Sequence, residues 1–336
     1  MRAAADCLPC VLRQTLLAAR RVTDDPWLHR KLLFAVMEHL PSVDFERTPA
    51  EISYSASRFA SKYLGVADPF RADKALFTER MLAVENDMRR EILGATDPLM
   101  AALRFALAGN MIDLGIFENG AVEEELARDA AELALGIDDY PALREALAGA
   151  RSVLYLLDNA GEIVCDKLVI EQLAAGNQPL PNRQFGERPA AGRRVPGITQ
   201  PGAAITCVVR KSPIINDVTR EDAETVGLAR LGRIIDIGVD ALGVPLSHCS
   251  AEFREIFDAA DVVISKGQAN FETLDEAERE IFHILRAKCD HIAGCLGVSR
   301  GAAVIVRTPR AGRTGRAGAE APLGAAAPGP VNPNPN

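Results

Sequence analysis

The spacing of apolar positions changes character near Ala150. Before that point apolar residues recur at helical intervals. The stretch Leu8–Val22 carries Leu12, Leu16, Leu17 and Ala19 on one side. Asp25-Pro26 opens the next segment, with proline at a favourable first helical position, and Trp27–Leu40 follows. Pro49–Tyr63, Pro69–Leu93, Pro98–Leu107, Val122–Leu135 and Pro141–Leu147 read the same way, punctuated by prolines and glycines. No repeat of fixed period is present. Residues 1–150 are expected to form an all-helical lobe.

From Arg151 onward, strand and helix patterns alternate. Strands are expected at Val153–Leu157, Ala204–Val209, Arg233–Ile235, Val262–Ser265, Phe282–Leu285 and Ala303–Val306. Helices are expected at Ile163–Ala175, Arg220–Leu228, Ala251–Ala259 and near His291–Leu296. Such alternation predicts an α/β domain over 151–307, a mostly parallel sheet with helices on both faces. Two segments do not fit. Residues 176–202 hold five prolines and five glycines where helix-to-strand loops usually run about 2–6 residues. They are expected to be a flexible insertion at the sheet edge opposite the candidate site, without a catalytic role. Residues 308–336 are Gly/Ala/Pro-rich and are expected to be disordered.

Composition narrows the function. The 336 residues can enclose a sizeable core. Lys and Arg number 38 against 46 Asp and Glu, a net charge of −8, so nucleic acid is not an expected partner. No apolar run reaches spanning length, which argues against a membrane, and Met1-Arg2-Ala3-Ala4-Ala5-Asp6 does not read as a signal peptide. Seven scattered cysteines suit a reducing cytoplasm better than a disulfide scaffold. The oligomeric state is not legible.

The chemistry gathers at three strand ends. The first strand runs into Asp158-Asn159-Ala160-Gly161-Glu162, where Glu162 suits the positive end of the helix that follows. The second ends in Arg210-Lys211-Ser212-Pro213-Ile214-Ile215-Asn216-Asp217. The third ends in Lys266-Gly267-Gln268-Ala269-Asn270. In open α/β sheets ligands bind at this edge. Taken singly, Asp158 and Asp217 are ordinary helix caps, Lys266 a solvated lysine and Asn270 a turn residue. Together they offer oxygen donors without thiolate or imidazole, the set that suits a hard cation such as Mg²⁺ or Mn²⁺. A lysine and free amides beside such a cation suit a phosphate.

The segments Leu157–Ile163, Val209–Thr219 and Val263–Leu274, in that order, resemble the damage-control phosphatase family. So do Ala108–Gly115 ahead of them, and Cys7-Leu8-Pro9-Cys10, Leu285–Cys289 and Leu296-Gly297-Val298, over nearly the whole chain. The cysteine pair is similar to the bacterial and archaeal branch. The resemblance implies a helical lobe on a Rossmann-like domain and a metal-dependent phosphatase of small phosphorylated metabolites, such as sugar phosphates. It implies a divalent metal, with Co²⁺ and Ni²⁺ as further candidates, and no organic cofactor. Metal ligands fall at Asp158, Asn159 and Asp217, and a phosphate-binding lysine at Lys266. Asn110, Asp113, Arg210 and Asn270 would line the substrate cleft. Catalysis would rest on Asp158, Asp217 and Lys266. Thr78 stands where the family pattern leads one to expect asparagine.

Cys7 and Cys10 could chelate a metal, run redox chemistry or simply pack. Cys249 and Cys289 are the partners the resemblance favours for a second metal or redox site. Two rival functions remain open at this point. One is an S-adenosylmethionine-dependent carboxyl methyltransferase, which the absence of a glycine-rich loop after the first strand disfavours. The other is a non-catalytic phosphometabolite-binding protein, which would share every ligand with the enzyme.

Overall fold

The computed structural model describes residues 1–110, 122–174, 199 and 203–309. Asp113, all of the 176–202 insertion but Thr199, and the tail from 310 onward lie outside the described residues. Three helices come first: α1 (Cys7–Val22), α2 (Pro26–His39) and α3 (Pro49–Leu64). Asp25 caps α2 by accepting from the Trp27 N–H. Thr48 and Glu51 form a reciprocal capping box at α3, and Gly65 ends that helix at a φ of 67°. Val11, Ala19, Leu32, Val36, Ile52 and Ala56 close these helices around a core of their own.

The next helices are α4 (Arg71–Gly94), α5 (Pro98–Gly109), α6 (Val122–Glu132) and α7 (Tyr140–Gly149). The all-helical expectation fails between the last two, where Leu135–Asp138 forms a strand, β1. Four residues are too few for a period of two to stand out after a helical run. The remaining elements alternate: β2 (Ser152–Leu156), α8 (Ile163–Ala174), β3 (Ala204–Val209), α9 (Arg220–Thr225), β4 (Arg233–Asp236) and α10 (Ala251–Ala259). They continue with β5 (Val262–Lys266), α11 (Gln268–Leu274), β6 (Ile281–Arg286), α12 (Asp290–Leu296) and β7 (Ala303–Thr308). Thr308 belongs to β7, where its hydroxyl meets the buried His283 ring, and not to the tail.

The strands form one sheet in the order β1-β7-β6-β5-β2-β3-β4. The five from β6 to β4 are parallel; β7 runs antiparallel to β6, and β1 runs parallel to β7. Alternate residues of β2 feed two cores, as a strand covered on both faces requires. Val153 and Tyr155 join the residues of α4–α8, whereas Leu154 and Leu156 meet Phe253 and Phe257 of α10. Helices α4–α7 therefore share a core with the sheet, and only α1–α3 have a separate one. Among the described residues no helix is long and apolar enough to cross a membrane.

Leu103 of α5 lies wholly inside that shared core. Leu103→Ala should cost about 2–5 kcal/mol. Hydrogen exchange should show amides of β2 and β5 losing protection together with those of α5. Unchanged protection in the sheet would show that α5 belongs to a separate lobe.

Candidate functional site at the C-terminal edge of the sheet

Strand β2 lies between β3 and β5. The chain moves outward from β2 to β3 and β4, then returns to the other side of β2 as β5. That reversal opens a crevice beyond the carboxyl ends of β2 and β5, where doubly wound sheets bind ligands. Asp158 lies just past β2, and Lys266 is the last residue of β5. The segment after β3 folds back to join them. Asn159 bridges antiparallel to Asp217, and Arg210 bridges to Thr219. The Val218 N–H donates to the Asp158 carbonyl at 2.9 Å, and the Ala160 N–H to the Asn216 carbonyl at 2.9 Å. Ile215 holds a φ of 48° in this turn, strained for a β-branched residue, and such strain collects at functional sites. Gly267 must be glycine because a Cβ there would lie 1.9 Å from Asp158 Oδ2.

The side chains form one buried network. Asn110, at the end of α5, donates from Nδ2 to Asp158 Oδ2 (3.1 Å) and Glu162 Oε2 (2.7 Å). Asn159 Nδ2 donates to the same two oxygens at 2.7 and 3.0 Å. Lys266 Nζ donates to Glu162 Oε1 (2.5 Å) and Asp166 Oδ1 (2.7 Å), and the Tyr155 hydroxyl donates to Asp166 Oδ1 at 2.8 Å. On the other side Arg210 Nε donates to Asp217 Oδ2 at 2.6 Å and Nη2 to Asn270 Oδ1 at 2.7 Å. Asn270 fastens the two strand ends by donating to the carbonyls of Leu157 (3.1 Å) and Lys266 (2.8 Å).

Charge is unbalanced. Asp158, Glu162, Asp166 and Asp217 are all buried, and the buried cations within this network are Lys266 and Arg210. Burial, with the charges of Glu162 and Asp217 added, pushes the Asp158 carboxyl up to about 8; the charges of exposed Lys288 and of Arg210 oppose that rise. Burial raises Asp166 to about 6 against the pull of Lys266. Burial also raises Asp217, opposed by Arg210. For Lys266 burial disfavours the charge, but Asp166 and Glu162 outweigh it and hold the ammonium above its usual range.

The donors fit a hard cation. No hydrogen bond among the described residues reaches Asp158 Oδ1, Asp217 Oδ1 or Asn159 Oδ1. Among the described residues no three His, Cys, Asp or Glu side chains are arranged to hold a metal. Among the described residues Arg210 Nη1 is buried with no partner, a donor left over beside Asp217.

The structure thus brings together Asp158, Asn159, Asp217, Arg210, Asn270, Asn110 and Lys266. Lys266 is wholly buried beneath the carboxylates, not solvated. Sequence reading missed Glu162 as a network member, and Asp166 and Tyr155 altogether. Asp166 had a signal, an acid inside the apolar run Ile163–Ile170. Thr78 is buried on α4, one residue from Phe77, which packs on Gly161. Of the cysteines, half-buried Cys7 is raised by burial, with Glu272, Cys289 and Cys10 acting in the same direction. Cys249 is not part of that neighbourhood. It sits in the core under α10, its thiol donating to the Pro245 carbonyl at 3.4 Å. Cys165 and Cys207 are core residues, as expected.

A cleft of about 880 Å³ opens between α3 and the segment after β4, lined by Tyr54, Phe59, Asp240, Leu242 and His248 among others. No residue of the acidic network lines it. Ala50, Ile214 and Leu242 pack together there, with Tyr54, Ile215 and Ala269 against them, so the cleft floor adjoins the turn that carries Asp217.

Known proteins resemble this chain over most of its length. The chain is 32% identical over 310 residues to damage-control phosphatase PH1575 of Pyrococcus horikoshii, covering 91% of this chain and 98% of that protein. It is 30% identical over 313 residues to the uncharacterized protein MJ0202 of Methanocaldococcus jannaschii, covering 90% and 94%. The crystal structure of the DUF89 family protein PH1575 superposes with a TM-score of 0.79 at 31% identity, over 91% of this chain and 99% of that one. Residues 3–178 and 197–304 match the family model described as the damage-control phosphatase ARMT1-like domain, and the chain belongs to that family.

Proposed function

We propose that the protein is a divalent-metal-dependent phosphatase that hydrolyses small phosphorylated, damaged metabolites, sugar phosphates among them. Two relatives from Pyrococcus horikoshii and Archaeoglobus fulgidus are named damage-control phosphatases. The observation that carries the reading is the imbalance at the strand ends, where four buried carboxylates meet two buried cations beside an unpartnered guanidinium nitrogen.

A divalent cation held by Asp158, Asn159 and Asp217 would neutralise the excess charge, polarise a phosphoryl oxygen and lower the pKa of bound water. The chain's own residues do the rest. Arg210 orients Asp217 through Nε and keeps Nη1 for a phosphoryl oxygen, a charge-assisted bond of the stronger kind. Asn110 and Asn159 hold Asp158 and Glu162 apart by donating to one oxygen of each. Lys266 offsets one of the two charges of Glu162 and Asp166 from below, and Arg210 offsets Asp217, so Asp158 is the carboxyl of this network that neither cation pairs with. The contribution of Lys266 to the phosphoryl group is through this field.

Chelation with EDTA should abolish turnover of a generic phosphate ester, and Mg²⁺ or Mn²⁺ should restore it. Asp217→Ala should be inactive at unchanged secondary structure. Full activity in EDTA would remove the metal from the account.

The raised Asp158 pKa has a pH signature. Its carboxyl titrates near 8 when folded, against an ordinary 3.8. The metal-free fold therefore binds an extra proton, and its stabilising effect is complete below about pH 4 and lost as pH rises through 8. A cation must displace that proton. Titration calorimetry with Mn²⁺ at neutral pH, in buffers of different ionisation enthalpy, should show proton release, and Asp158→Asn should remove it. Binding without proton release would show that Asp158 is already ionised.

Lys266→Ala leaves two buried carboxylates without their cation. The expected loss is about 3–5 kcal/mol of stability. A denaturation midpoint equal to wild type would show that Nζ is not paired with Glu162 and Asp166 in solution.

A further inference from the structure

Helix α2 has one face too many for a monomer. Leu32 and Val36 bury one side in the helical core. The other side presents Trp27, Phe34 and Met37, exposed by 63, 56 and 41%. Their spacing of seven and three residues puts them on one stripe of a helix about 21 Å long. A single exposed hydrophobic needs no explanation, but three large ones aligned on one side of a helix make that side a candidate interaction surface.

The charges beside the stripe identify the occupant. Arg30 and Lys31 lie four and three residues before Phe34, and Glu38 lies four after it. All three are exposed. Arg30 lies over the Trp27 ring at 4.1 Å, and neither Lys31 nor Glu38 has an ion-pair partner among the described residues. Turning a second α2 antiparallel about Phe34 sets Phe34 on Phe34. It places Glu38 of each copy at the height of Arg30 and Lys31 of the other. A parallel arrangement would set like charges side by side. The face is therefore complementary to itself in one orientation, the requirement of an isologous interface.

We propose that α2 is a homodimerisation surface, on which a second copy of this chain packs its own α2 antiparallel about Phe34. The interface uses none of the residues of the acidic network. A single helix pair buries little area, so the dimer is weak and depends on concentration. Each contact occurs twice by symmetry, so each substitution acts twice.

Trp27 is the chain's one tryptophan, so its emission reports this face alone. Sedimentation velocity should show wild type passing from monomer to dimer across the micromolar to millimolar range, with a blue shift of Trp27 emission over the same range. Phe34→Asp should weaken dimerisation at least about tenfold. Glu38→Lys, and separately the pair Arg30→Glu with Lys31→Glu, should each weaken it by roughly the same factor. An equimolar mixture of the Glu38→Lys protein with the Arg30→Glu/Lys31→Glu protein should dimerise again, because each supplies the charge the other lacks. A wild type that stays monomeric overturns the proposal. So does a dimer indifferent to Phe34→Asp, a dimer with unshifted Trp27 emission, or a mixture that fails to pair.

Discussion

The Lys266 ammonium, wholly buried between Glu162 and Asp166, is the contact on which the site depends. It joins β5 to α8 and reaches toward the Ala106 carbonyl of α5 at 3.5 Å, while Tyr155 of β2 ties Asp166 from the other side. Burying such a triplet brings little net stability, because desolvation offsets most of the attraction. Its effect is on placement. With Glu162 fixed by Lys266, Asn110 and Asn159 have a fixed second acceptor, and Asp158 is held against Gly267 in one position. Arg210 takes Asp217, and Asp158 is left as the carboxyl of the network that neither cation pairs with.

The fold supplies this arrangement through its topology. The reversal of strand order at β2 separates β3 from β5 and leaves their carboxyl ends facing the same crevice. The strained turn at Ile215 brings Asp217 back across to Asn159. Helix α5 then closes the crevice with Asn110. For this reason α4–α7 have to share a core with the sheet, and the helices before them do not.

Much of this was legible in the sequence, and the exceptions have physical causes. β3 and α10 fall at their expected boundaries because their hydrophobic runs are bounded by turn residues. The three strand ends could be read as one site because parallel strands present their carboxyl ends on one edge. β1 was hidden by its length and by the helix before it. α11 was hidden because Gln268–Leu274 reads as a continuation of the Lys266-Gly267 turn. The burial of Lys266 could not be read locally, since its partners lie about 100 residues earlier in the chain. Cys249 follows the same logic. A thiol close to Pro245 in sequence is held by the core under α10, not by Cys7 and Cys10 at the other end of the chain.

The central claim is that the excess charge at the strand ends exists to hold one divalent cation. Anomalous diffraction from crystals soaked in Mn²⁺ would test it directly. The account predicts a single strong peak among Asp158, Asn159 and Asp217, with Lys266 still bonded to Glu162 and Asp166. A peak at Cys7, Cys10 and Cys289 instead, or an ordered phosphate on Lys266 with no metal at the carboxylates, would contradict it.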